Sequence, residues 1–268
     1  MSRITPFKLN TIEGIARGEK ATVRLQNGPT YQELVIESNI APDMISKFTV
    51  DIGGVYQIGE ILAVTGEEAY MLEKYHGRNQ VAYKYVLAFG STEGRTDKGQ
   101  LFSGLVTLPS DNIILGIELK ASTSTVVPTF TGWAFASAAQ PVRVLVPQIK
   151  SQIITNTAMG DIDFPHLPVD AAIQRIHLLG DVDKAIIIKD GNQPFELTKS
   201  VNNFMLMRNE KTPQAGYFHI DFVQRGWVLM DMFNPVNVAN LNLRLTMTAA
   251  NNVRVLIESV RQLAAPQS

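Results

Sequence analysis

A chain of 268 residues with 45% hydrophobic content is long enough for one large domain or two ordinary ones, each with its own core. The formal net charge of -1, with Lys and Arg scattered, excludes the strong positive field that polyanion binding requires. Cysteine is absent, which excludes disulfides, thiolate nucleophiles and cysteine-based metal sites and leaves the redox compartment undetermined.

Met1 to Pro6 is not followed by a long apolar core, so no signal peptide is expected. The longest uncharged run, Ala121 to Val142, contains Ser, Thr, Gln and two prolines and is too polar for a bilayer span. A soluble, non-secreted product is therefore expected. Charged residues make up 18%, against a usual ~25%. A surface so poor in charge suggests cover by something else, such as neighbouring copies.

In chain order, residues 1–18 read as an N-terminal arm, with Ile4, Phe7, Leu9, Ile12 and Ile15 apolar and Gly14 and Gly18 breaking any helix. It either packs on its own domain or reaches a neighbouring subunit or a membrane. Ala21–Leu25 alternates as a half-buried strand should, and Asn27-Gly28-Pro29 is a turn. Tyr31–Glu37 alternates around Leu34 and Ile36, and Phe48–Ile52 is a further strand closed by Gly53-Gly54, read as a β-turn. Thr65 with Glu68 three residues on predicts a capping box that opens a short helix, and Gly77 is its stop.

Strand character returns over Tyr83–Phe89, and Gly90–Gly99 reads as a surface loop. Leu101–Leu108 then leads to the turn Pro109-Ser110-Asp111. Asn112–Leu119 puts Ile113, Leu115, Ile117 and Leu119 on one face, and Phe130–Phe135, with Trp133, is the last strand of the half. Residues 141–168, punctuated by Pro141, Pro147, Pro165 and Pro168, read as an inter-domain connection, with strand character in Val142–Val146 and an extra element over Ile149–Ile154.

The order then repeats about 134 residues later. Ala172–Leu179 answers Tyr31–Glu37, and Ala185–Lys189 answers Phe48–Ile52. Thr198–Arg208 answers the helix, and Tyr217–Val223 answers Tyr83–Phe89. Trp227–Met230 is expected as a strand before the turn at Asn234-Pro235. Leu241, Leu243 and Leu245 stand for Leu115, Ile117 and Leu119, and Val253–Glu258 closes the copy. Many short strands at even spacing, with one helix per half, predict an all-β chain. It is expected to form two tandem eight-stranded jelly rolls, or β-sandwiches, over residues 19–140 and 169–268.

The four histidines, His76, His166, His177 and His219, are too far apart in sequence for the paired-histidine strand of a bicupin metal site. Asp161, Asp163 and His166 have the composition of a loop cation site, but a polar turn explains them equally. His219 and Asp221 alternate on one strand face, expected to be solvated or an interface. Asp181 and Asp183 fit a turn, Glu67-Glu68 a helix start, and Trp133 and Trp227 packing anchors. No Walker-type loop, nucleophile elbow or zincin helix is present. An enzyme would need a buried, convergent pair of titratable groups, and none is legible. No catalytic, cofactor-binding or metal residue is therefore assigned, and the chain is expected not to be an enzyme.

The layout of the start, from Asn10 to Gly18 through Val23-Arg24-Leu25 and Gly28-Pro29-Thr30-Tyr31, resembles a known family, as do Tyr217–Phe222, Leu241–Leu245 and Val255–Glu258. These are the double-jelly-roll major capsid proteins of icosahedral viruses with an internal membrane, most like the compact form of corticovirus-like phages within the adenovirus–tectivirus lineage. The resemblance implies a homotrimer whose six lobes form a pseudo-hexagonal tile in the virion, made in the host cytoplasm. The implied partners are the chain itself and neighbouring capsomers, a penton or spike protein, and minor membrane proteins. Peripheral contact with the internal membrane is implied as well, and no direct nucleic-acid binding. No cofactor is implied, although relatives hold structural cations between subunits; no ligands for one are assigned here. The reading from a different class is a carbohydrate-binding or spike-type β-sandwich, which would need an exposed aromatic platform or a loop cation site.

Overall fold

The computed structural model describes residues 4–78, 80–91, 94–96, 99 and 103–267. The loop expected over Gly90–Gly99 lies partly outside the described residues, and the Leu101-Phe102 start of the expected strand lies wholly outside them. The chain divides into two compact units. The first comprises Met1–Lys74, Arg78–Ile149 and Leu263–Ser268, and the second Tyr75–Gly77 and Lys150–Gln262.

In the first unit, one sheet runs in the order β1 (Thr5–Lys8), β9 (Phe130–Ser137), β3 (Thr30–Ser38), β6 (Lys84–Ala88), with β7 (Leu105–Val106) also on β3. The facing sheet runs β5 (Gly59–Val64), β4 (Ile45–Gly54), β8 (Asp111–Leu119), β2 (Lys20–Arg24). The alternation read from sequence sets the faces. Leu34, Ile36, Tyr85 and Leu87 from one sheet and Phe48, Val50, Ile113, Leu115 and Ile117 from the other are all buried. The Phe48 and Tyr85 rings meet across the sandwich at 5.3 Å. Each such side chain contributes roughly 1.5–3 kcal/mol by leaving water. The expected arm is partly a strand of this unit: β1 pairs with β9, and Glu13 bridges to Thr22.

Thr65 and Glu68 form the expected capping box at the start of helix α1 (Gly66–Tyr75). The Glu68 N–H donates to Thr65 Oγ1 at 3.1 Å, and the Thr65 N–H donates to Glu68 Oε2 at 2.7 Å. Gly53-Gly54 is not a turn but the end of β4, opposite Asn112 and Asp111. At Gly54 (φ +104°) a Cβ would lie 2.2 Å from the Ser110 carbonyl oxygen, so only glycine allows that approach.

The second unit repeats the order of seven of these nine strands. One sheet runs β15 (Tyr217–Asp221), β12 (Ala172–Leu179), β17 (Val253–Gln267), matching β6-β3-β9. The other runs β14 (Asn192–Thr198), β13 (Val182–Lys189), β16 (Leu241–Met247), β11 (Gly160–Phe164), matching β5-β4-β8-β2. Every one of these neighbours is antiparallel in both copies. Helix α2 (Lys199–Arg208) stands where α1 stood. Ile176, Leu178, Phe218, Ile220, Val255 and Ile257 face Ala185, Ile187, Leu243 and Leu245 in one apolar cluster.

Several expectations are corrected. Within residues 141–168 the strand character expected over Val142–Val146 and the element expected over Ile149–Ile154 are joined in one continuous strand, β10 (Arg143–Ile154), and the unexpected β11 pairs with β16. Trp227–Met230 is turn rather than strand. The strands β5 and β14 follow the β4 and β13 turns and were not expected. The strand-to-strand offset of the repeat is also one residue less than the Tyr83–Tyr217 match suggests. The inward residues Tyr85 and Leu87 correspond to Phe218 and Ile220, while Tyr83 lies outside β6 with φ +61°.

Candidate functional site

That one-residue correction decides which residues point out of the sandwich. With Phe218 and Ile220 inward, His219 and Asp221 of β15 point to the outer face of their sheet, beside His177 and Arg175 of β12 and Glu258 of β17. The corresponding row in the first unit is Val35, Val86, Glu33, Ala88 and Phe135, with Trp133 next to Val35. An outer face is normally wet. Here it is not: His177 and His219 have no exposure, and Arg175 and Asp221 are buried. His219 and Asp221 thus share a face, as their alternation predicts, but that face is covered rather than solvated.

The cover is made by the end of α1 and the loop after α2. The Tyr75 ring lies 4.6 Å from that of His219 and 5.0 Å from that of His177, and its hydroxyl donates to Asp221 Oδ2 at 2.9 Å. The Thr212 N–H donates to the Tyr75 carbonyl at 2.8 Å, and the Gln214 N–H donates to His219 Nε2 at 3.1 Å. The buried Asn202 of α2 donates to the His219 carbonyl.

Beneath this cover the polar groups form one connected set. Arg175 Nε donates to Asp221 Oδ2 at 3.0 Å, and its Nη1 to Glu258 Oε2 at 3.2 Å. Asp221 Oδ1 accepts the Val223 N–H. Glu258 Oε1 lies 2.8 Å from His177 Nε2, and the two histidines meet Nδ1 to Nδ1 at 2.7 Å. Burial pushes the Glu258 carboxyl up, but the Arg175 guanidinium and the His177 hydrogen bond outweigh it and hold it well below the usual carboxylate range. Burial also opposes the Arg175 charge, and Asp221 and Glu258 keep it firmly protonated. The Tyr75 phenol is pushed up by burial and then by the Asp221 carboxylate. Burial, followed by His177, pushes the His219 imidazole down to about 2. A buried convergent set of titratable groups therefore exists, contrary to the sequence reading, but every member is spent on another member or on backbone.

The other sequence candidates do not converge. Asp161 accepts from Thr246 and Asp163 from Arg244 and Asn242, side by side along the β11–β16 ladder, and His166 is exposed beyond it. Asp181 caps the end of the neighbouring turn through Asn251 and Thr248. Glu68 serves the helix cap. Among the described residues no group of three or more His, Asp or Glu side chains is arranged to hold a metal ion. Trp133 and Trp227 are 38% and 40% exposed, in different units, and so are not the packing anchors expected.

Among the described residues the first unit holds a further buried ionic group that sequence reading missed. Arg143, in the stretch expected to be a connection, is fully buried and makes a bidentate pair with Asp111 at 2.7 and 3.1 Å. Asp111 also accepts the Leu108 N–H at 2.7 Å, closing the Pro109-Ser110 turn.

Two tandem sandwiches that repeat one strand order form a double jelly roll, a class whose solved members include capsid proteins of icosahedral viruses. The major capsid protein P2 of bacteriophage PM2 is similar to this chain over 98% of each, with 18% identity and a TM-score of 0.85. The major capsid protein of Sulfolobus turreted icosahedral virus is similar over 98% of this chain and 99% of that one, with 11% identity and a TM-score of 0.73. For VP54 of PBCV-1 the coverage is 99% and 96%, the identity 12% and the TM-score 0.69. No curated protein sequence matches the chain.

Family models for the viral coat protein P2 N-terminal and C-terminal domains match residues 6–139 and 146–263, and the chain belongs to that family. Its role is structural rather than enzymatic: it is a coat protein that self-assembles into the capsid of a virion.

Proposed function

We propose that the chain is the major capsid protein of a membrane-containing phage and assembles as a homotrimer. Three copies of a two-lobed chain supply six similar lobes, which tile a hexagonal lattice around an internal lipid membrane. The observation that carries this reading is the repetition of the order of seven strands in the two units, because only like lobes can stand in for six equivalent positions. The low charge fraction supports it, since extensive contacts between copies are depleted in charged residues. A net charge near zero supports a shell protein that leaves the genome to other components. Synthesis in the host cytoplasm, a penton or spike protein at the vertices, minor membrane proteins beneath the shell, and peripheral contact with the bilayer follow from the same reading. A structural cation between subunits would be a product of assembly, held by ligands from more than one copy.

Electron microscopy of the purified protein tests the tile. The expected class averages are three-fold particles with a hexagonal outline of six lobes. Two-lobed or trefoil particles would contradict it.

A further inference from the structure

The buried histidine pair has a proton inventory that geometry fixes. The Gln214 N–H can only donate, so His219 Nε2 carries a lone pair and the His219 proton sits on Nδ1. That proton is donated across 2.7 Å to His177 Nδ1, so the His177 proton sits on Nε2 and is donated to Glu258 Oε1. All four ring nitrogens are then occupied, with two protons between two neutral rings. A third proton has no place that keeps the set intact. On His219 Nε2 it would face the Gln214 N–H; on His177 Nδ1 it would face the proton of His219. The neighbouring carboxylates are no refuge, because Arg175 binds both.

The bond that a third proton breaks holds a surface loop. Residues 211–216 run from α2 to β15, and Thr212, Ala215 and Gly216 are exposed. The loop is tied down by the Lys211 N–H to Leu206, the Thr212 N–H to Tyr75 and the Gln214 N–H to His219, and at its end by the Gly180 N–H, which donates to the Gly216 carbonyl. We propose that His219 is a proton-operated latch: neutral, it holds the 211–216 loop through the Gln214 N–H, and acid releases that loop while the sandwich core stays folded.

Every group that faces the ring fits this assignment. From β12 come His177 and Arg175, from β15 Tyr217 (stacked at 5.3 Å) and Asp221, and from β17 Glu258. Tyr75 and His76 come from the end of α1 and just beyond it, Lys199 from α2, and Lys211 from the loop, 3.5 Å from His76. His177, Lys199 and His76 oppose a positive charge on His219, whereas Glu258 favours one. The latched ring resists protonation down to about pH 2, whereas a ring opened to water titrates near 6.5. The latch is therefore complete above about pH 6.5. Below that it weakens up to about tenfold per pH unit, or about a hundredfold at pH 4.5.

Amide hydrogen exchange on the full-length protein reads this directly when each rate is divided by its intrinsic rate at the same pH. Protection at the Thr212 and Gln214 amides is expected to fall about a hundredfold between pH 7 and 4.5 and to stay well below that of β13 and β16, as a local opening requires. Unchanged loop protection, or loop protection equal to that of β13 and β16 at both pH values, overturns the latch. His219→Gln keeps an acceptor for the Gln214 N–H but cannot titrate, and it is expected to abolish the acid-dependent loss; the same loss in the variant overturns the proposal. Should that variant fail to fold, ring nitrogen NMR of the unaltered protein decides. A neutral His219 with its proton on Nδ1 at pH 7 is required, and a proton on Nε2 refutes it.

Discussion

Arg175 pairs with the Asp221 and Glu258 carboxylates and Arg143 with that of Asp111, and all three carboxylates are largely withdrawn from water. Arg175→Ala leaves Asp221 and Glu258 side by side with no cation between them. Arg143→Ala strands Asp111 in the first unit. Each change is expected to cost about 3–5 kcal/mol, read from urea denaturation, because removing one partner leaves an uncompensated buried charge. Thr65→Ala loses one half of the capping box and is expected to cost only about 1 kcal/mol. Acid acts on the same residues. The pKa of His219 is depressed on folding, so its contribution is full above pH 6.5 and is lost as pH falls towards 2. Unfolding free energy at pH 5 is expected to lie about 2 kcal/mol below that at pH 7 from this group alone. A flat profile between those values would place His219 in water.

The strands show which signals a sequence carries. Wherever one face is apolar and the other wet, alternation suffices: Ile113, Leu115 and Ile117 in β8 and Leu241, Leu243 and Leu245 in β16 are buried as their spacing predicts. Leu243→Ala is expected to cost about 2–5 kcal/mol, measured by thermal or urea unfolding, since Leu243 lies at the centre of the second core. The edge strands were harder to read. Asp161-Ile162-Asp163-Phe164 has the composition of a turn, yet it alternates, and its carboxylates are satisfied by Thr246, Arg244 and Asn242 of the neighbouring strand. Pro194 hid β14, although an edge strand tolerates proline. The buried histidine set was least legible because its partners lie 42 and 81 residues apart. One signal was present. Arg175 and His177 alternate, as do His219 and Asp221, on strands that the repeat makes neighbours. Two polar pairs in register on a covered face form a network, and only the structure shows that the face is covered by Tyr75 and the 211–216 loop.

At the scale of the whole chain, duplication is the organising fact. The two units share strand order, pairing sense and a helix at the same place, yet they differ in how the outer face of one sheet is finished. Val35, Val86 and Trp133 leave it half open in the first, whereas histidines and an ionic set lie beneath a cover in the second. The shared frame is what the proposed six-lobed tile draws on, and the covered histidine set belongs to the second unit.

On the proposed reading this coat protein is a trimer before it tiles. Light scattering on the purified protein at micromolar concentration measures that directly. The account predicts a molar mass of about 89 kDa, three times the 29.6 kDa of one chain. A mass of 29.6 kDa that persists as concentration rises would contradict it.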